Sequence, residues 1–380
     1  MYSASIEGGL AEHIYYQSKA LHHRGEDVCL LAPKGFLPGK SKAFSTRYVL
    51  GNMPTDVKPF FLKRFMQLWV LCFNYWILAY YILKTKPVIV LVDSYREYFA
   101  PFWSLPVKFA LQLRKAICVV NLHDPVRDYI IGPKWWHNLS VRCGYLFIDI
   151  GLVHAAVPET AKIPKRVKTV EVPVGIYELP ETTLTNQEMR ELWNVRPDQK
   201  IFLSFGYIRD NKNIDLLLHA LTKVQKGFLV IAGKPQSTND RPMMFYKNLA
   251  QKLGVDSRCF FYNDFIPEDE LGNFFRSSDF VALTYSSSFH SQSGVLNLAA
   301  AAKLQVIASG ADSPLIRSVK KYNLGEVILP DSTEEIIRGM DKLINDPPMP
   351  DWDAYYEYAG WVSNVSKLME AVKTHSQFTE

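Results

Sequence analysis

Short apolar runs alternate with amphipathic stretches along the chain, most cleanly in its second half. There, residues 200–204, 228–232, 259–262, 280–284, 305–308 and 326–329 read as buried strands, and helical spacing fills the intervals. In the first half the strand-like runs are 27–32, 88–92, 116–121, 145–153 and 169–172, with helices expected over 10–24 and 99–114. Strands that alternate with helices build parallel sheets covered on both faces, so the expected fold class is α/β. Residues 173–177 read as a turn closing a first domain, and the polar, proline-marked stretch 178–200 as a connection. A last helical stretch over 353–373 is rich in Tyr and Trp.

Two segments depart from this alternation. The chain opens on Met1, Tyr2 and Ser3 and reaches Gly8 and Gly9 without a leading apolar strand, although a doubly wound domain begins with a central one. The strand is missing, replaced, or lost to a choice of start site. The opening is neither a secretory signal nor an anchor. The second segment, 59–84, is apolar and aromatic, and its core, 66–83, carries no charge, which is near the lower length limit for a membrane span. Gln67, Asn74 and the Tyr and Trp residues in mid-run speak against a span, because aromatic belts belong at interfaces. Three readings stand: a core helix, a helix lying on a membrane with Lys58, Lys63, Arg64, Lys84 and Lys86 at its ends, and a span.

The most informative stretch is 201–221. An apolar run (Ile201, Phe202, Leu203) stops at Ser204 and Gly206, a polar loop carries Arg209 and Lys212, and a helix follows with Ile214, Leu217, Leu218 and Leu221 at helical spacing. Two cations therefore sit at the carboxyl end of a strand, just before a helix start. That is where open α/β sheets bind ligands, and an anion there meets fixed charge and free amides. Diphosphate is the natural candidate; a surface loop with two solvated cations is the plain alternative.

The segment also resembles the phosphate-binding loop of family 4 of the retaining GT-B glycosyltransferases, with Gly206, Arg209 and Lys212 as the matching residues. Here the arginine stands three places after the glycine, whereas many family members have it immediately after. The resemblance implies two Rossmann-like doubly wound domains facing across a cleft. It divides the chain into an acceptor-side domain, 1–178, a nucleotide-sugar-binding domain, 179–350, and a C-terminal helix, 351–380, that crosses back to the first domain. It further implies that Arg209 and Lys212 grip the diphosphate of a nucleotide-sugar.

Other segments extend the likeness. His123 and Asp124 directly follow the strand-like run 116–121. A lone histidine is more often a satisfied core group, but the resemblance turns His123 toward the transferred sugar, with Asp124 orienting its imidazole or capping a loop. Gly8 and Gly9, four and five residues ahead of His13, resemble the family's opening, where backbone amides approach the donor and a Cβ would stand in the way. Gly233 matches a turn near the nucleotide, the backbone around Ile266 would pair with the base, and Asp269 or Glu270 would cap a helix. Ser293, Gly294, Val295 and Leu296 resemble the segment whose amides hold the donor. The two carboxylates of that family segment would fall at Ser291 and Ala299, neither acidic. Ser291 keeps one hydrogen bond; Ala299 offers none to a ribose.

Composition narrows the function classes. A chain of 380 residues exceeds one ordinary core, and 48% hydrophobic with 21% charged residues is globular. A net charge of +5 is too small for a nucleic-acid argument but suits an anionic substrate or membrane surface. Cys29, Cys72, Cys118, Cys143 and Cys259 are dispersed, which reads as reduced cytosolic thiols, and no metal-ligand spacing appears. No metal and no cofactor are expected. The sequence thus leads to a retaining, metal-independent transfer of a hexose from a nucleoside diphosphate sugar to a glycan or lipid-linked glycan. The enzyme would be cytoplasmic, or peripheral on the inner face of the membrane, and would not bind nucleic acid. Two rivals remain: a non-catalytic GT-B subunit that binds a partner glycosyltransferase or a glycan, and a GT-B epimerase or phosphorylase.

Overall fold

The computed structural model describes residues 1–40, 43–54, 58–93, 97–123, 125, 130, 132–157, 161–235, 237 and 240–377. The chain forms two compact units, 1–175 with 361–380, and 176–360.

The first unit runs α1 (Gly8–His23), β1 (Cys29–Pro33), β2 (Ser45–Leu50), α2 (Phe60–Thr85), β3 (Ile89–Val92), α3 (Ala100–Arg114), β4 (Ile117–Asn121), α4 (Lys134–Gly144), β5 (Ile150–Val153) and β6 (Lys168–Glu171). Its strands are parallel, β1 with β2, and β3 through β6 in sequence order. The start of the chain supplies what the opening lacks. Tyr2 bridges Leu31 of β1 and Val92 of β3 in parallel, donating to Leu91 O at 2.9 Å and accepting from Asp93 N at 3.0 Å. Residues 1–3 thus occupy the strand position between β1 and β3. Toward the amino ends of β1 and β3 the same gap continues as a cavity of about 420 Å³ lined by Met1, Cys29, Leu31, Ile89 and Leu91.

The second unit runs α5 (Asn186–Leu192), β7 (Lys200–Phe205), α6 (Ile214–Leu221), β8 (Gly227–Ala232), α7 (Met243–Leu253), β9 (Cys259–Tyr262), α8 (Leu271–Arg276), β10 (Phe280–Thr284), α9 (Gly294–Ala301), β11 (Gln305–Ser309), α10 (Pro314–Lys321), β12 (Gly325–Val327), α11 (Thr333–Asn345) and α12 (Trp352–Ala359). Its six parallel strands lie in the order β12-β11-β10-β7-β8-β9. Side chains alternate across this sheet as strand geometry requires. Ile201, Leu203, Phe228 and Val230 join one buried cluster, while Phe202, Leu229 and Ile231 join another on the opposite face. Both faces are therefore covered by helices, the mark of a doubly wound sheet.

Several expectations need correction. The run 145–153 is a strand only from Ile150; Tyr145, Phe147 and Ile148 are buried in the turn that follows α4. Strand β2 and helix α4 carry no apolar run, because most of their residues face solvent. The stretch 353–373 is not one helix: Gly360 is extended, so α12 stays with the second unit and only α13 (Trp361–Gln377) packs on the first. The connection 178–200 contains α5, whose start is a capping box of Thr185 and Glu188. Glu270 stands at the N-cap position of α8, but its side chain makes no capping hydrogen bond, because a 3-10 turn over Glu268–Glu270 runs straight into the helix.

Helix α2 is long and apolar enough to cross a membrane by length and composition. One face is core: Tyr75 stacks on Trp103 of α3 at 3.7 Å, and Leu71, Leu78 and Ile82 are buried with it. The other is an open stripe of Phe61 (83% exposed), Phe65, Trp69, Phe73, Trp76 and Tyr80. The neighbouring α3 adds exposed Phe102, Leu105, Phe109 and Leu113.

Helix α13 is tied down by buried amides. Asn121 donates to Gln17 at 2.9 Å, Gln17 to Asn364 at 2.9 Å, and Asn364 to the Pro173 carbonyl at 2.8 Å. Replacing Asn364 by Ala leaves the Gln17 amide unpaired in the interior. We expect Asn364→Ala to cost the first unit about 1–3 kcal/mol, read as a lowered midpoint in calorimetry with the second unit's transition unmoved.

A dicationic loop and a buried histidine cluster

In the second unit the strand order reverses between β7 and β10, and ligands of open α/β sheets bind outside the carboxyl ends of strands at such a reversal. The loop after β7 and the loop after β10 meet there. Thr284 Oγ1 donates to the Lys212 carbonyl at 2.9 Å and Ser286 N to the Asn211 carbonyl at 2.8 Å. Asp331 accepts from both Asn213 Nδ2 and Ser287 N at 2.9 Å. Asn213 takes a left-handed conformation (φ 52°) to launch α6.

Arg209 and Lys212 lie on this loop without a carboxylate. The acids beside them, Asp210 and Asp215, face Arg241 instead, at 3.7 and 2.8 Å. Among the described residues neither Arg209 nor Lys212 forms an ion pair, and Arg209 Nε is buried without a hydrogen-bond partner. Lys212 Nζ donates to the Phe205 carbonyl at 2.5 Å. Burial, and then the charge of Arg209, push the Lys212 ammonium down to about 7. A buried ammonium held down by burial and by a neighbouring guanidinium is one that an anion would relieve.

The glycines here have physical reasons. Gly206 has φ 89° and Gly233 φ 147°, both in the range that favours glycine. A Cβ on Gly233 would lie 2.1 Å from the Gly206 carbonyl oxygen, so the two turns touch backbone to backbone. Ile266 is buried in the core, and among the described residues its backbone groups make no hydrogen bond; exposed Phe265 beside it lies under Lys234 Nζ at 5.9 Å. At the start of α9 the amides of Gly294 and Val295 have no protein partner among the described residues, but Leu296 N already donates to the Ser293 carbonyl at 3.1 Å and its side chain is buried. Leu296 therefore brings no free amide, a correction to its expected role. Ser293 is buried with its hydroxyl 3.1 Å from that of Tyr285, and Ser291 is exposed. Ala299 is wholly buried in the core, so no side chain there reaches a ligand.

In the first unit, Gly8 and Gly9 open α1. A Cβ on either would meet nothing of the protein within 4 Å; Gly8 is explained by its φ of 80°, and Gly9 by nothing the protein itself contributes. His123 follows β4 at the carboxyl edge of the sheet, as expected. Asp124 lies outside the described residues. The carboxylate facing His123 is Asp93, at the end of β3, 3.5 Å from Nε2. On the other side His123 Nδ1 lies 3.2 Å from His154 Nε2, and His154 Nδ1 lies 3.2 Å from the Val172 carbonyl. His13, from α1, completes the group with Nδ1 3.6 Å from Asp93 Oδ1. Burial holds His13 below the ordinary histidine range and His154 well below it. Burial pushes Asp93 up, but His123 and His13 outweigh it and the net direction is down.

Asp93 and His154 escaped sequence reading because each closes an apolar strand and meets the others only through sheet pairing. The one available signal was position: a polar residue at the carboxyl end of each strand.

Residues 185–359 match the family model described as glycosyl transferases group 1. Among solved structures, a glycosyltransferase from Rickettsia africae ESF-5 is similar over 98% of this chain and 97% of its own, with TM-score 0.66 and 16% identity. Sucrose-phosphate synthase from Thermosynechococcus elongatus is similar over 98% and 94%, with TM-score 0.62 and 16% identity. Anabaena HepE, in complex with UDP and glucose, is similar over 100% and 96%, with TM-score 0.62 and 14% identity. No curated protein matches the sequence. These likenesses show a GT-B fold, two Rossmann-like domains.

Lys212 makes anion binding pH-dependent. Free, its ammonium titrates near 7; a bound anion raises that value, so affinity is full below pH 7 and falls as the pH rises above it. At pH 8, inorganic pyrophosphate should draw close to one proton more onto the wild type than onto Lys212→Met. Calorimetry in buffers of different ionisation enthalpy measures that difference.

Proposed function

The second domain, 185–359, belongs to the glycosyl transferases group 1, and from that premise we propose that the protein moves a hexose from a nucleoside diphosphate sugar to a glycan or lipid-linked glycan, retaining the anomeric configuration. The observation that carries the reading is the uncompensated pair Arg209 and Lys212 at the strand-order reversal. In such a transfer the leaving group is a nucleoside diphosphate, and its developing charge must be met. A guanidinium, an ammonium and the free amides of Gly294 and Val295 supply that without a metal at the diphosphate. Gly206 and Gly233 let backbone approach the phosphates, and Ile266 presents backbone to the base. The UDP and glucose bound to Anabaena HepE support this class of donor. His123 is assigned to the transfer step, with Gly8 and Gly9 near the reacting end of the donor.

The exposed aromatic stripe of α2 and the apolar residues of α3 support a peripheral position on an anionic membrane, where a lipid-linked acceptor resides. Lys63, Arg64 and Lys84, at the ends of α2, suit anionic headgroups.

A second reading, a non-catalytic subunit, is favoured by Ser291 and by buried Ala299, which stand where the resemblance places carboxylates. Nucleotide titration separates the two. UDP or GDP should bind, and Arg209→Ala should weaken binding about tenfold or more while lowering turnover on the order of 10²–10³-fold; no binding of any nucleoside diphosphate selects the subunit. Mass spectrometry over a panel of nucleotide-sugars then identifies the donor.

For the membrane face, the chain should sediment with phosphatidylglycerol vesicles and not with phosphatidylcholine alone. Phe65→Ser with Trp69→Ser and Phe109→Ser should abolish sedimentation while leaving nucleotide affinity unchanged.

A further inference from the structure

We propose that His13, His123 and His154 form a binding site for one divalent transition-metal ion of the zinc type, with one coordination position left open. The inference shares His123 with the proposed transfer step, but it concerns only the first unit and its test needs no nucleotide.

The geometry comes first. One ring nitrogen from each of the three histidines falls within a group whose members all lie within 4.8 Å of one another. A tetrahedral zinc ion with imidazole ligands at about 2.0–2.1 Å sets its ligand nitrogens roughly 3.3 Å apart. His154 Nε2 and His123 Nδ1 are already 3.2 Å apart. The third ligand needs to close by little more than an ångström.

The surroundings agree with this. A metal-bound imidazole holds its second N–H against a carboxylate or a carbonyl, which fixes tautomer and ring orientation. All three rings have such an acceptor. His154 Nδ1 faces the Val172 carbonyl at 3.2 Å, and Asp93 Oδ1 faces His123 Nε2 at 3.5 Å and His13 Nδ1 at 3.6 Å. One carboxylate thus serves two ligands and leaves His13 Nε2, His123 Nδ1 and His154 Nε2 as the nitrogens available to an ion.

Two features are costly without an ion. His13 is 2% exposed, and among the described residues its Nε2 has no hydrogen-bond partner, while its Nδ1 faces Asp93 Oδ1 at 3.6 Å. Asp93 is fully buried, and its contacts are Ser3 Oγ at 3.4 Å and the two imidazoles. A buried carboxylate that meets no Lys or Arg among the described residues calls for positive charge. A divalent cation behind neutral imidazoles supplies that charge and gives the idle Nε2 of His13 a partner. Three nitrogen ligands and no thiolate suit zinc, cobalt, nickel or copper rather than magnesium or calcium.

The site is also held firmly. Its ligands come from α1 and from the carboxyl ends of β4 and β5, with Asp93 at the end of β3. Trp361 packs edge-on against His13 at 5.1 Å and closes that side. Three protein ligands leave a fourth position for water or a ligand hydroxyl.

The test uses the untagged full chain. Equilibrium dialysis against Zn²⁺ should give one equivalent per chain, and thermal unfolding should shift upward with zinc present. His154→Ala and His123→Ala should each weaken binding at least 100-fold, and Asp93→Asn about 10–100-fold. The exposed pair His22 and His23 is the control: changing both to Ala should leave the stoichiometry at one. Cobalt bound to the wild type should show the intense visible bands of tetrahedral nitrogen coordination, a reading that needs no variant to fold. No stoichiometric zinc on the folded wild type, zinc binding undiminished in His154→Ala, or a pale octahedral cobalt spectrum would each overturn the site.

Discussion

Parallel strands all point their carboxyl ends the same way, and the chemistry of this protein follows from that constraint. Each βα turn delivers its polar residues to one edge of a sheet whose faces are sealed by helices. In the second unit the strand order reverses between β7 and β10, and the turns beyond those strands meet at the reversal. Arg209 and Lys212 stand at that gap. Their nearest acids are held by Arg241, and the charge they carry is therefore unspent in the protein alone. The backbone of Gly206 packs against that of Gly233 so closely that a Cβ on Gly233 would lie 2.1 Å from the Gly206 carbonyl oxygen, and only glycine permits the approach.

The same constraint gathers a different chemistry in the first unit. Here the edge residues are a carboxylate and three imidazoles, with no arginine or lysine in contact with them among the described residues. The interior makes the pairing strict, since an ionised carboxylate removed from water must be met by charge or by donors. One unit thus offers cations at its edge that form no ion pair among the described residues, and the other a buried carboxylate beside imidazoles. That contrast underlies the anion site and the cation site proposed above.

The outer face of the first unit follows another rule. Helices α2 and α3 bury one stripe against each other and the sheet, through Tyr75 and Trp103, and leave a second stripe of aromatic and leucine side chains in the open. Hydrophobic all round is the pattern of a helix covered on every side. The fold covers only half of this one, and the remainder is the face proposed above for a lipid surface.

Much of the fold was legible in the chain itself. Buried parallel strands are near-continuous apolar runs, so those of the second unit could be read off directly, and the Gly206–Lys212 turn announced its place between a strand and a helix. Strand β2, helix α4 and the break at Gly360 were not legible, because solvent-facing elements carry weak periodicity and a helix end depends on local backbone rather than on pattern. Residues 1–3 read as no strand at all, since two or three residues have no period; only β1 and β3 on either side make them one. The histidine cluster lay further out of reach. His13, Asp93, His123 and His154 stand far apart in sequence, and spacing carries information only within one element. Sheet pairing sets which strand ends are neighbours, and so tertiary structure alone decided that these four side chains meet.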